Sequence, residues 1–167
     1  QVINPESGYI YNANHSPFKS TSLDENPKPK DFATNMGFET FDNNRSTRIF
    51  ELVESYDAID YEAFKTIKYD NKFPTPFNYN FMNINNIMEM SPENYPEISD
   101  ILEQIQKWDR KTDANSTGAG AYAMFYYTLA DKYFYKSYYD RNFSKSLIAD
   151  CLRAVSYTHL RAHETAY

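Results

Sequence analysis

The stretch of sequence that decides the fold lies at residues 4–18 and reads NPESGYIYNANHSPF. Its first part, from Pro5 to Gly8, has the composition of a turn. Residues 9–11 are aromatic and β-branched, and they predict a short strand. The chain must leave that strand before Pro17, because proline cannot take a place in a central strand. The pattern therefore predicts a strand near the N-terminus, with Asn14 at its exit.

The rest of the chain is predicted to be mostly helical. Residues 19–44 are polar and contain prolines, which indicates a long surface loop. Apolar residues then recur at helical spacing near 45–56, 60–67, 98–108 and 118–149. The first two helices are preceded by residues suited to an N-cap, which are Asn43 or Asn44 and then Asp60.

Composition excludes several classes of function. The 167 residues carry 17 Lys+Arg against 23 Asp+Glu, a net charge of −6 that argues against a nucleic-acid backbone binder. A spanning helix needs about 18 consecutive apolar residues, and the sequence has no such run. The single cysteine, Cys151, excludes an internal disulfide and a cysteine-based zinc cluster. With 41% hydrophobic residues, the chain can still bury a core.

The common catalytic patterns are weak in this sequence. His15 and Ser16 are adjacent, but neighbouring side chains on an extended segment point apart, which argues against a Ser-His-Asp triad. Asn14 offers a neutral N–H donor, a suitable group for stabilising a developing oxyanion. An asparagine at a strand exit is also a common turn former. The residues alone leave both readings of Asn14 open.

The motif NPxxGYIxNxNxSP at residues 4–17 resembles the β-chain motif of the penicillin acylase family, which includes acyl-homoserine lactone acylases. Later features follow in a similar order: Arg45 at a helix start, IDYEAF at 59–64, and a helix ending near Trp108. The similarity covers residues 3–136. It implies an α+β fold, in which this chain is a fragment of an αββα N-terminal-nucleophile hydrolase, mostly α-helical with a short strand near its N-terminus.

The resemblance also implies a reaction. In this family a precursor cuts itself to expose a serine, whose Oγ attacks an amide carbonyl and forms an acyl-enzyme. The expected substrates are N-acyl amides such as an acyl-homoserine lactone or a β-lactam side chain. By match to the family, Asn14 lies in the oxyanion hole and Arg45 orients the Asn14 amide. No residue here matches the nucleophile or the acyl pocket. Both are expected upstream of Gln1, so the isolated chain is expected to be inactive.

Partners, cofactors and location are likewise implied by the resemblance. The partners are the α chain and the upstream β chain, together with a small-molecule amide. Some family members bind calcium, but no ligands can be assigned here and no other cofactor is implied. The location is periplasmic or secreted. If other chains cover this one, residues 1–18 and one face of the helix at 98–108 should be exposed.

The C-terminal segment has a different character. Residues 155–165, VSYTHLRAHET, match a translated sequencing-library adapter residue for residue. The predicted organisation is therefore a partial acylase β-chain domain over residues 1–150 and an artefactual tail over 151–167. The spacing of His159 and His163 is accordingly not interpreted as a metal pair.

A second hypothesis is a non-enzymatic, aromatic-rich helical domain that binds glycan or protein. The chain holds 16 tyrosines, several of them in a stripe from Tyr122 to Tyr139. Tyrosine and tryptophan are favoured at such binding surfaces. The same stripe is also compatible with ordinary helix packing.

Overall fold

The computed structural model describes residues 2–22, 24–79, 82–133 and 143–164. Five α-helices lie in this part: α1 (Asn44–Val53), α2 (Tyr61–Lys68), α3 (Ser99–Lys107), α4 (Thr117–Tyr133) and α5 (Lys145–Glu164). The chain divides into two compact units, Gln1–Asn80 and Phe81–Tyr167. The first unit contains α1 and α2, and the second contains α3, α4 and α5. Among the described helices, none has the length and apolar character needed to cross a membrane.

Both helices of the first unit begin at the predicted caps. Asn43 Oδ1 accepts the N–H of Ser46 at 3.0 Å, and Ser46 Oγ accepts the N–H of Asn43 at 2.9 Å. This reciprocal pair satisfies two donors that the first turn of α1 would otherwise leave unpaired. Asp60 Oδ1 accepts the N–H of Ala63 at 2.8 Å and caps α2 in the same way.

An ion pair ties α1 to the segment after α2. Arg48 Nε donates to Asp70 Oδ2 at 2.9 Å, and Arg48 Nη2 donates to Asp70 Oδ1 at 2.8 Å. Both side chains are largely shielded from solvent, with 22% and 16% exposed. Such a two-pronged contact fixes direction as well as distance. The contact therefore fixes α1 relative to the segment that follows α2. The first residues of α1 contact the stretch 12–16.

The predicted strand at residues 9–11 does not form. Of this segment, Tyr11 donates its N–H to the Ser20 carbonyl at 2.9 Å, and Ile10 is 57% exposed. A strand is stable only when a neighbour pairs with it along its length, and one bond does not make a ladder. Across the described residues, extended pairing is limited to isolated bridges at residues 72, 79, 82, 83 and 111. The described residues are therefore mostly helical, and they do not form αββα layers.

The loop over residues 19–44 is confirmed as irregular. Its regular structure within the described residues is limited to short 3-10 turns at Pro29–Asp31 and Thr34–Met36, after a similar turn at Pro17–Lys19. Gly37 ends one of these turns with φ +66°, a left-handed conformation that glycine adopts without strain.

The second unit is built around α4, which packs on both α3 and α5. Its central side chains are at most 1% exposed: Leu102, Ile105, Phe125, Leu129, Ile148 and Leu152. The expectation of an exposed apolar face at 98–108 is therefore wrong, because α4 and α5 already cover it. In the first unit the outcome is mixed, since Ile3 is 68% exposed whereas Ala13 and Ser16 are buried.

Trp108 joins α3 to α4. Its indole N–H donates to the Lys111 carbonyl at 2.7 Å, and its ring stacks on Tyr122 with centroids 5.1 Å apart. Gly118 lies so close that an added Cβ would be 2.4 Å from Trp108 Cβ. Tyr122 is thus a packing residue. Residues 134–139 of the tyrosine stripe lie outside the described part of the chain.

Helix α5 runs across the boundary that the sequence placed between residues 150 and 151. Cys151 and Leu152 are fully buried, and Val155 is 3% exposed. Burial raises the pKa of the Cys151 thiol. The assignment of 151–167 to an artefactual tail stays a prediction, and the side chains of His159 and His163 lie outside the described residues.

Candidate functional site

A tight turn presents Asn14. Asn12 Oδ1 accepts the N–H of Asn14 at 2.8 Å, which closes the turn. Asn14 itself has φ +54°, in the left-handed region that asparagine tolerates better than most residues. The result is a side chain exposed at the tip of a closed turn.

Arg45 meets this side chain from the first turn of α1. Its Nη2 lies 2.9 Å from Asn14 Oδ1 and 3.2 Å from the Ala13 carbonyl oxygen. A guanidinium only donates, so the carboxamide atom that faces it must be the oxygen. Asn14 Nδ2 therefore points away from Arg45, and it donates to no acceptor within the described residues. The two predicted site residues are thus in direct contact, with the NH₂ group open.

Asn43 is a site residue that the sequence did not reveal. Its Nδ2 donates to the carbonyl oxygens of Ala13 and Asn14, at 3.0 Å each. Its Oδ1 caps α1 by accepting from Ser46. One side chain therefore ties the helix start to the turn. Only the capping role has a local signal in the sequence, because the turn lies about thirty positions earlier in the chain.

Ser16 anchors the far side of the turn. It is fully buried, its N–H donates to the Phe41 carbonyl at 3.0 Å, and its Oγ donates to the Glu39 carbonyl at 2.7 Å. A hydroxyl whose proton is used in this way is a poor nucleophile. The prediction that His15 and Ser16 do not form a catalytic pair is consistent with this geometry.

His15 lies under the same turn and is 8% exposed. The N–H of Ala13 donates to its Nδ1 at 3.1 Å, and its Nε2 is 2.7 Å from the Lys19 carbonyl oxygen. The ring stacks on Tyr11, with centroids 4.8 Å apart. The family resemblance assigns His15 no role beyond shaping the loop, because its position varies in the family.

Nearby tyrosines stay uncharged. Burial raises the pKa of Tyr11 to about 12, and the carboxylates of Asp42 and Glu54 add to the rise. Tyr9 donates its hydroxyl to Glu54, and burial together with that contact raises the pKa of Tyr9. On the opposite side, hydrogen bonds from Ser7 lower the pKa of Glu25. Among the contacts of Asn14, the one with a charged group is that with the Arg45 guanidinium.

The arrangement is suited to one chemical task. A neutral N–H donor, fixed by a cation behind it, stabilises negative charge that develops on a substrate oxygen. Within the described residues, no group of three His, Cys, Asp or Glu side chains could hold a metal ion. Calcium binding, which the resemblance implies for some family members, stays a prediction without assigned ligands.

Comparison with known proteins identifies one family model that matches nearly the whole chain. A family model described as penicillin amidase matches residues 1–163. The match includes the turn with Asn14 and the start of α1 with Arg45. No curated protein and no solved structure matches the chain significantly.

Proposed function

Because the chain belongs to the penicillin amidase family, we propose that it is part of an acylase that cleaves N-acyl amides through a serine acyl-enzyme. The family implies hydrolase activity in the full-length protein. The proposed substrates are N-acyl amides, such as an acyl-homoserine lactone or a β-lactam side chain.

In the proposed reaction, a serine Oγ supplied by the upstream part of the acylase attacks the amide carbonyl. The carbonyl oxygen becomes an oxyanion, which accepts a hydrogen bond from Asn14 Nδ2 and one from a backbone N–H. The proton of the serine hydroxyl passes to the α-amino group of the same serine, which delivers it to the amine as the intermediate collapses and the C–N bond breaks. An acyl-enzyme remains. Water then attacks the ester, and the acid is released.

One observation carries the assignment of Asn14. Its Oδ1 is held by Arg45 at 2.9 Å, while its Nδ2 is left without a partner in the described part of the chain. A donor that is oriented before the substrate arrives needs no reorganisation during the reaction. This geometry supports an oxyanion role for Asn14 and an orienting role for Arg45.

The proposal extends to partners and location. Exposed apolar side chains in the N-terminal stretch, such as Ile3 and Ile10, are suited to contact with the α chain and the upstream β chain. We propose a periplasmic or secreted location, as is typical of the family. The net charge of −6 gives no support to a nucleic-acid partner.

The test is Asn14→Ala in the full-length acylase. Loss of one oxyanion donor should lower kcat by about two to three orders of magnitude, with acylation as the step affected. Hydrolysis of a panel of N-acyl amides measures the effect. Asn35→Ala, at another exposed asparagine of the loop, is the matched control and should keep the wild-type rate. A wild-type kcat in Asn14→Ala would show that Asn14 is not an oxyanion donor.

The alternative, a domain that binds glycan or protein, has some support from exposed aromatic side chains. Tyr61, Tyr69 and Tyr127 are each more than 70% exposed. The same assays separate the two functions, because a binding domain would leave the full-length wild type without amide hydrolysis. Glycan-array or pull-down signals that are lost in Tyr61→Ala would then favour the alternative.

A further inference from the structure

His15 makes bonds through both ring nitrogens. The backbone N–H of Ala13 is a donor, so the Nδ1 that accepts from it at 3.1 Å carries no proton. The Lys19 carbonyl oxygen is an acceptor, so the Nε2 that lies 2.7 Å from it must carry one. The two contacts together define the neutral imidazole with its proton on Nε2.

These bonds act on the residue directly before Asn14. The N–H of Ala13 is bound to His15, and the carbonyl oxygen of Ala13 accepts from Asn43 at 3.0 Å and from Arg45 at 3.2 Å. Both polar groups of Ala13 are therefore occupied. Of these three partners, His15 is the one that lies within the turn.

The backbone at Asn14 needs this support. Asn14 has φ +54°, in a sparsely populated region that asparagine tolerates better than most residues, and the bonds on either side of it hold the backbone there. The direction in which Asn14 Nδ2 points depends on that φ value. A small rotation of the turn would move the donor relative to the oxyanion.

We propose that His15 is a positioning residue of the acylase: as its Nε2–H tautomer it holds the turn that aims the Asn14 amide at the oxyanion. This inference rests on the proposed oxyanion role of Asn14. On one side of the ring the Nε2–H donates to the Lys19 carbonyl, on the other side Nδ1 accepts from the Ala13 N–H, and the ring of Tyr11 stacks on the imidazole.

Variants of the full-length acylase separate hydrogen bonding from packing. His15→Phe keeps a ring to stack on Tyr11 but loses both hydrogen bonds, and we expect kcat to fall about tenfold or more with KM nearly unchanged. His15→Asn places Oδ1 near the position of Nδ1 and can still accept from Ala13, so it should recover most of the rate. Ile148→Val, in the core of the second unit, serves as a control for a modest loss of stability.

The kcat values of the three variants distinguish the positioning role from its alternatives. A kcat loss in His15→Phe that His15→Asn restores, with wild-type kcat in Ile148→Val, supports the positioning role. Equal kcat in His15→Phe and the wild type overturns it. So does an equal loss in the Phe and Asn variants, because that would show that the bond to Ala13 does not matter.

A spectroscopic readout covers the case in which His15→Phe does not fold. In wild-type acylase with ¹⁵N-labelled histidine, the imidazole signals of His15 should show a protonated Nε2 and an unprotonated Nδ1, with His15→Asn used for assignment. A protonated Nδ1 refutes the inference. If the wild type hydrolyses no N-acyl amide, the proposed function fails, and the same spectrum still reports which tautomer His15 adopts.

Discussion

Replacing Arg45 by alanine tests how much of the proposed catalysis depends on orienting one carboxamide. The bond at stake joins Arg45 Nη2 to Asn14 Oδ1 at 2.9 Å. A hydrogen bond from a charged donor is worth about 1.5–3 kcal/mol. Because Arg45 is exposed, solvent screening reduces this to about 1–2 kcal/mol. Expressed as a barrier, that is a fall in kcat of about 5- to 30-fold.

Arg45→Lys separates charge from geometry. It keeps the net charge of the chain, but a single ammonium cannot reproduce the planar group whose Nη2 contacts both Ala13 and Asn14. We therefore expect only partial recovery of kcat in the lysine variant. Full recovery would mean that the positive charge alone is needed.

The decisive measurement is a double-mutant cycle in the full-length acylase. If Arg45 acts through the amide of Asn14, then Arg45→Ala should cost nothing further once Asn14 has been replaced by alanine. The coupling should equal the whole single-mutant effect, about 1–2 kcal/mol. Rates at saturating concentrations of a chromogenic N-acyl amide give all four corners of the cycle. Additive losses would refute the orienting role, and Asn35→Ala again serves as the neutral comparison.

Two further predictions concern the scaffold. Asp70→Asn should lower the free energy of unfolding by about 1–2 kcal/mol at pH 7. Hydrogen bonds from Arg48 hold the pKa of Asp70 below its usual value. The stabilisation is therefore present above about pH 4 and is lost as the pH falls through the folded-state pKa. Urea unfolding of both proteins at pH 7 and pH 3 measures this, and a gap of the same size at both pH values would contradict it. Gly118→Ala should destabilise the second unit by about 1–3 kcal/mol through overpacking, since the new Cβ would lie 2.4 Å from Trp108 Cβ. Fluorescence of Trp108, the single tryptophan, follows its unfolding, and a rise in Tm would show that the helix preference for alanine prevails over the clash.

Helix starts were predictable here because capping is local. Asn43 and Asp60 each bond a backbone N–H three positions later, a distance that the sequence displays directly. The strand at residues 9–11 was predicted from equally good local preference and does not form. A strand depends on a neighbour from elsewhere in the chain, and aromatic, β-branched residues carry no information about whether that neighbour is present.

The site was predictable only in part, for the same reason. Family resemblance singled out Asn14 and Arg45, and their contact spans 31 positions that no periodicity links. Asn43 gave a capping signal but none for its bonds to the turn. His15 bonds to groups only two and four residues away. Those bonds form only in a turn with Asn14 in the left-handed conformation, which the amino-acid sequence does not predict.

The two readings of Asn14 can now be compared within one turn. Asn12 behaves as a turn former, since its Oδ1 accepts the N–H of Asn14 two residues later. Asn14 does not use its own carboxamide in this way. Its oxygen goes to a side chain on α1, and the turn is closed by Asn12, His15 and Asn43 instead. If Asn14 served only the turn, its carboxamide would bond to the backbone of the turn and would not be held by Arg45. The arrangement therefore favours a role for the Asn14 carboxamide outside the turn.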